Sequence, residues 1–143
     1  MKSLHCNLLN TYTLYFNILF YVSIICGDKR FLKGLSYHII PFFITSQYMC
    51  WYDKVARGCG CRLSWSIFCD IIAHWLPLII YIMMYKQINE YKMSILGYVS
   101  PIILFFVYLC YTRFNMRIYN GNHLSKYIAI YVVLLIITTV LLK

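Results

Sequence analysis

The chain has 143 residues, 62% of them hydrophobic and 12% charged, with a mean hydropathy of +0.69. A soluble domain is roughly 45–50% apolar and about 25% charged, so this composition argues against a water-exposed globular fold, and the length leaves no room for a second domain. The formal charge of +9 would suggest nucleic acid in a soluble protein, but here the bases lie mostly between apolar runs, where they anchor to anionic lipid headgroups; no nucleic-acid partner is expected.

A helix that crosses ~30 Å of hydrocarbon needs ~20 apolar residues at a rise of ~1.5 Å each. Five runs meet or approach this requirement. The first covers residues 8–26 and is closed by Gly27-Asp28-Lys29-Arg30. Its apolar stretch exceeds the ~7–15 residues of a signal-peptide core, and Ile25 before Cys26 makes a poor lipoprotein cleavage site, so a retained helix is expected. The second covers 35–52 and is closed by Asp53-Lys54; it carries His38, Thr45, Ser46 and Gln47, which leaves a re-entrant segment as the alternative to a full span. The third covers 63–85, closed by Lys86; the fourth 94–112, closed by Arg113; the fifth 127–142.

Unpaired backbone groups are too costly in lipid for anything but helices or closed barrels. These runs are continuous rather than alternating, which excludes a barrel pattern. The expected fold is an all-α, polytopic transmembrane helical bundle of about five spans, with a range of four to six. It forms a single membrane domain over 1–143, with short loops and antiparallel neighbours. Orientation is not legible: with five spans, seven bases fall on one side and six on the other, and the positive-inside rule needs a bias.

His38-Ile-Ile-Pro41, His74-Trp-Leu-Pro77 and Tyr98-Val-Ser-Pro101 each place a polar ring three residues before a proline, a weak internal repeat. Pro41, Pro77 and Pro101 each remove an i→i−4 hydrogen bond and are expected to kink their helices, with nearby Ser, Tyr or water serving the freed carbonyls. Polar stripes run along the first span (Asn10, Thr13, Asn17, Tyr21) and the fifth (Tyr127, Tyr131, Thr138). No span contains GxxxG and Ala and Gly are scarce, so the helices are expected to pack through aromatic and β-branched side chains at wider separations. Trp51, Tyr52, Tyr85 and Tyr111 near span ends suit an interfacial belt.

The third run carries the candidate chemistry. Ser66, Asp70, His74, Tyr81 and Tyr85 share one helical face. Asp70 is the only carboxylate within a predicted span, and such a group costs ~2.5–3.5 kcal/mol to insert and faces the bundle interior. At i and i+4, Asp70 can hydrogen-bond His74, fix its tautomer and raise its basicity. The pair therefore reads either as a proton relay or general base, or as a polar clasp between helices. A metal site of His38, Asp70 and His74 would require a tilted or re-entrant second helix, because antiparallel neighbours place His38 and Asp70 toward opposite membrane faces. No cofactor is expected.

Seven cysteines are an odd count for a closed disulfide framework. Cys59-Gly60-Cys61, with Cys50 at the preceding span end, is the one cluster, open to acylation, to a bridge with Cys50 or to metal. Phosphate-loop, dinucleotide, zinc-protease and serine-hydrolase signatures are all missing, which argues against a soluble-type enzyme but leaves an intramembrane enzyme open, with a non-enzymatic role the leading expectation. The bias to 21 Ile and 15 Tyr against 3 Ala points to an AT-rich genome such as that of a large DNA virus or a protist. The leading reading is a structural or organising multi-pass protein in a viral or organelle membrane. The alternatives are a proton or small-solute carrier or channel built on Asp70 and His74, with homo-oligomerisation to enclose a path, and an intramembrane lipid enzyme with His74 as base.

Overall fold

Two residues turn the chain from the first helix into the second. Helix α1 (Tyr12–Cys26) ends at Gly27, whose φ of +70° is the left-handed conformation that glycine adopts without a Cβ penalty. Asp28 then caps α2 (Lys29–Gln47), its carboxylate accepting the Phe31 N–H at 3.0 Å. The structure is a computed structural model and describes residues 12–48, 71–111 and 124–142.

Among these residues every regular element is helical. After α2 come a π-helical turn (Ile71–Trp75) leading directly into α3 (Leu76–Asn89), then α4 (Ile95–Tyr111) and α5 (Leu124–Leu141). One continuous helical segment, Ile71–Asn89, is long and apolar enough to cross a membrane; Tyr12–Cys26, Ile95–Tyr111 and Ser125–Leu141 are apolar but shorter. The second helix begins six residues before the expected start of its span, because Asp28 caps it there. It continues without a break through Pro41 to Gln47, so the described part of this segment is a through-running helix.

Helix α2 is the centre of the bundle and packs against all four others. That position explains its composition. Residues 32–39 are buried without interruption, so Ser36 and His38, with Thr45 and Ser46 further on, are buried along it beside Leu32, Leu35 and Ile39. A hydrophobic layer of Phe16, Phe20, Phe42, Tyr12 and Tyr108 joins α1, α2 and α4, with Phe16 and Phe42 stacked at 4.6 Å. Lys33, expected among the headgroup anchors, instead turns inward: it is buried and its ammonium donates to Asn89 Oδ1 at the end of α3.

The tightest approach is between α2 and α4, and it corrects the expectation of wide, aromatic-mediated packing. A β-carbon on Gly34 would lie under 3.0 Å from backbone atoms of Ser94, Gly97 and Tyr98; one on Gly97 would strike the Phe31 carbonyl. The backbones themselves are linked, with the Ser94 N–H donating to the Arg30 carbonyl at 3.0 Å. Two lone glycines on different helices thus do what GxxxG does within one helix, letting main chains meet.

This geometry reverses the sign of an ordinary substitution. Gly→Ala within an exposed helix is expected to stabilise by about 1 kcal/mol through propensity. Gly97→Ala and Gly34→Ala are predicted instead to destabilise by about 1–3 kcal/mol through overpacking, read as a fall in the melting temperature of detergent-solubilised protein. A rise at both sites would contradict the close crossing.

Candidate functional site

The polar heart of the bundle forms around His38, whose side chain is fully buried. Its Nε2 lies 2.6 Å from the Tyr98 carbonyl on α4 and its Nδ1 2.6 Å from the Tyr131 hydroxyl on α5. A carbonyl can only accept, so Nε2 carries the proton and Nδ1 accepts from Tyr131. In its neutral form the imidazole is thereby fixed in one tautomer with both nitrogens bonded, joining three helices. Around it, the Tyr98 hydroxyl meets Thr139 Oγ1 at 3.1 Å, and Thr139 donates to the Leu135 carbonyl at 2.7 Å.

A second polar system serves the prolines. Pro77 has no N–H for the carbonyl of Ala73, four residues earlier. Asn17 on α1 donates to that carbonyl at 3.0 Å while its other proton goes to Thr13 at 2.8 Å; Tyr21 reaches the Ile72 carbonyl at 3.4 Å. Asn17 and Tyr21 of the α1 stripe are thus turned onto the π-helical turn. In α4, Pro101 leaves the Gly97 carbonyl in the same position, and Ser100 Oγ donates to it at 3.3 Å; Tyr12 caps the Pro101 carbonyl itself at 2.8 Å. Four of these bonds, from Asn17, Tyr21, Ser100 and Tyr12, bring a side-chain donor to a carbonyl at or within five residues before a proline.

The candidate residues from the sequence divide accordingly. His74 is buried on the π-helical turn, its ring 5.5 Å from that of Phe42. His38 lies one turn earlier on α2 and is committed to Tyr98 and Tyr131. Asp70, Cys50, Cys59 and Cys61 lie outside the described residues. Among the described residues no group of three His, Cys, Asp or Glu side chains could hold a metal ion. Pro41 and Pro101 lie inside α2 and α4, while Pro77 opens α3 just after the π-helical turn. Two of the three ring-x-x-Pro segments do meet, since His38 bonds the Tyr98 backbone with their rings 5.2 Å apart. Sequence reasoning did not foresee Gly34, Gly97 or the roles of Tyr98 and Tyr131. Glycine inside a helix is disfavoured by propensity, and that was the available signal for the first two.

Beside this core is a cleft of about 330 Å³ with almost wholly apolar walls. Pro101, Ile102, Phe105, Phe106 and Leu109 of α4 form one wall, and Tyr127, Ile128, Tyr131, Val132 and Leu135 of α5 the other. Its floor is Phe42, Thr45 and Ser46 of α2 with Tyr12 and Thr13 of α1. It exists because α4 and α5 both rest on α2 and diverge from each other above it. Phe106 and Val132 are exposed at the rim, so the cleft opens sideways from the bundle.

No family model matches the chain, and no curated protein or solved structure matches it either. The chemistry of the described residues is therefore the ground for a functional reading. Around His38 and Asn17, it is the chemistry of hydrogen bonds between helices.

Two measurements test the clasps. Asn17→Leu is expected to lower stability by about 1 kcal/mol, within the ~0.6–1.7 kcal/mol span of interhelical hydrogen bonds in membrane proteins. Pro77→Ala supplies the missing N–H, so the cost of Asn17→Leu should shrink in that background; strict additivity in the double-mutant cycle would refute the link. His38→Leu leaves the Tyr131 hydroxyl without its acceptor and is expected to cost about 1–3 kcal/mol. That cost should be smaller in Tyr131→Phe, and an equal cost would show that the pair is not coupled.

Proposed function

We propose that the protein is a multi-pass integral membrane protein with a structural or organising role in a viral or organelle membrane. The observation that carries this reading is the inverted distribution of side chains. Asn17, Ser36, His38, Thr45 and Thr138 are buried, while Ile25, Met83, Leu141 and Ile95 are exposed at 75% or more of their surface. Water rejects such an exterior, since monomeric soluble proteins rarely expose contiguous apolar patches above a few hundred Å². Lipid accepts it, and polar groups then belong inside, bonded to one another.

The segment Ile71–Asn89 supports the same reading, because only 22% of its apolar window is buried within the bundle; the core helix of a soluble protein would be mostly covered. The exposed Tyr85 and Tyr111 at helix ends fit an interfacial belt. A structural role is supported by the use made of the central polar groups: His38 spends both nitrogens on joining helices.

The protein is expected to remain with membranes after alkaline carbonate extraction and to require detergent for a monodisperse state; release into carbonate would sink the membrane reading. Role is tested separately in sealed vesicles. Wild type and Asp70→Asn should dissipate a pH gradient equally, and lipid profiles should not differ between wild type and His74→Ala. A leak lost in Asp70→Asn would establish the carrier instead, and a lipid change lost in His74→Ala the enzyme.

A further inference from the structure

We infer that the cleft between α4 and α5 is a binding site for one acyl chain of an anionic glycerophospholipid, whose phosphate is met by Lys126. This inference rests on the membrane reading above. The cavity of about 330 Å³ is at the lower end of the about 300–1,000 Å³ of ligand pockets. It has room for a chain and not for a chain with its headgroup. Its α5 wall runs from Tyr127 to Leu135, eight residues or about 12 Å at ~1.5 Å per residue. One leaflet's hydrocarbon is about 15 Å deep, so a cleft of this length matches one chain of one leaflet. The sideways opening between Phe106 and Val132 admits that chain from the bilayer and leaves the second chain outside.

Among the described residues, a charged side chain stands at one end of the cleft. Ser46 and Tyr127 line that end. Just beyond them along their helices, Lys126 holds its ammonium 4.9 Å from the ring centre of Tyr48. Lys126 is exposed in the first turn of α5, where the helix dipole adds partial positive charge. A phosphate at this level meets a cation, while its chain lies against Phe105 and Ile128. One turn deeper, at the level of the glycerol esters, Thr45 is buried and its hydroxyl has no hydrogen-bond partner among the described residues. An ester carbonyl is the acceptor that a lipid would bring to it.

The test uses full-length protein in nanodiscs carrying a trace of lipid with a photoreactive group in one acyl chain. The headgroup is phosphatidylglycerol in one arm and phosphatidylcholine in the other, and adducts are mapped by peptide mass spectrometry. Adducts are expected to concentrate on Ile102, Phe106 and Val132, several-fold more with phosphatidylglycerol than with phosphatidylcholine. Lys126→Gln should remove that preference and leave the phosphatidylcholine labelling unchanged. Ile128→Trp, which fills the cleft, should lower labelling in both arms. Equal labelling of wild type by the two lipids overturns the headgroup assignment. Labelling spread evenly over Ile82, Met83 and Val140 overturns the site, since it would report only the lipid surround. Adducts on Ile82 and Met83 with none on Ile102, Phe106 or Val132 would show that lipid does not enter the cleft, and would overturn the site. The wild-type comparison needs no variant to fold, and a chain that fails to enter the discs defeats the membrane reading itself.

Discussion

Glycines 34 and 97 bring the main chains of α2 and α4 into contact, and the rest of the bundle is arranged around that crossing. With the backbones this close, Ser94 can donate across the gap to Arg30, and the Tyr98 carbonyl comes within reach of the His38 ring. His38 in turn engages Tyr131 and so sets where α5 lies. Separate the two helices by the width of a methyl group and the imidazole loses its acceptor. Close packing and polar satisfaction are therefore a single constraint here.

The same constraint accounts for the prolines. A proline deprives a carbonyl of its helical partner, and a buried carbonyl left alone is costly. In this molecule a neighbouring side chain supplies the missing donor: Asn17 for Ala73 and Ser100 for Gly97. The polar stripe of α1 thus fixes how α1 meets the π-helical turn. Asn17 and His38, polar residues within apolar helices, each bond to a neighbouring element of the bundle.

Much of this was legible in the chain. Helices α1, α4 and α5 lie over apolar runs of the sequence, whereas the helix of the third run continues through Lys86 to Asn89, because one lysine in a last turn does not end a helix. Helical spacing placed Asn17 on one stripe and Tyr131 and Thr138 on another, but which way each stripe faces was not stated by it. The start of α2 did not, since Lys29, Arg30 and Lys33 read as a loop until Asp28 is seen capping the helix that contains them. The tight α2–α4 crossing was missed because a motif within one helix was sought, whereas the two small residues are on different helices. His38 and Tyr98 shared a spelling before proline, yet that spelling alone did not show that they touch.

Hydropathy and charge spacing by themselves pointed to the helices found among the described residues, since each depends only on neighbours a few residues apart. Which helix is central, which histidine is locked and where a cleft opens were decided only by tertiary structure. Those outcomes depend on meetings between residues about 60 to 90 positions apart, such as Gly34 with Gly97 or His38 with Tyr131. A local pattern carries no record of them, because the same stripe of polar residues can face any neighbour until the closest backbone approach selects one.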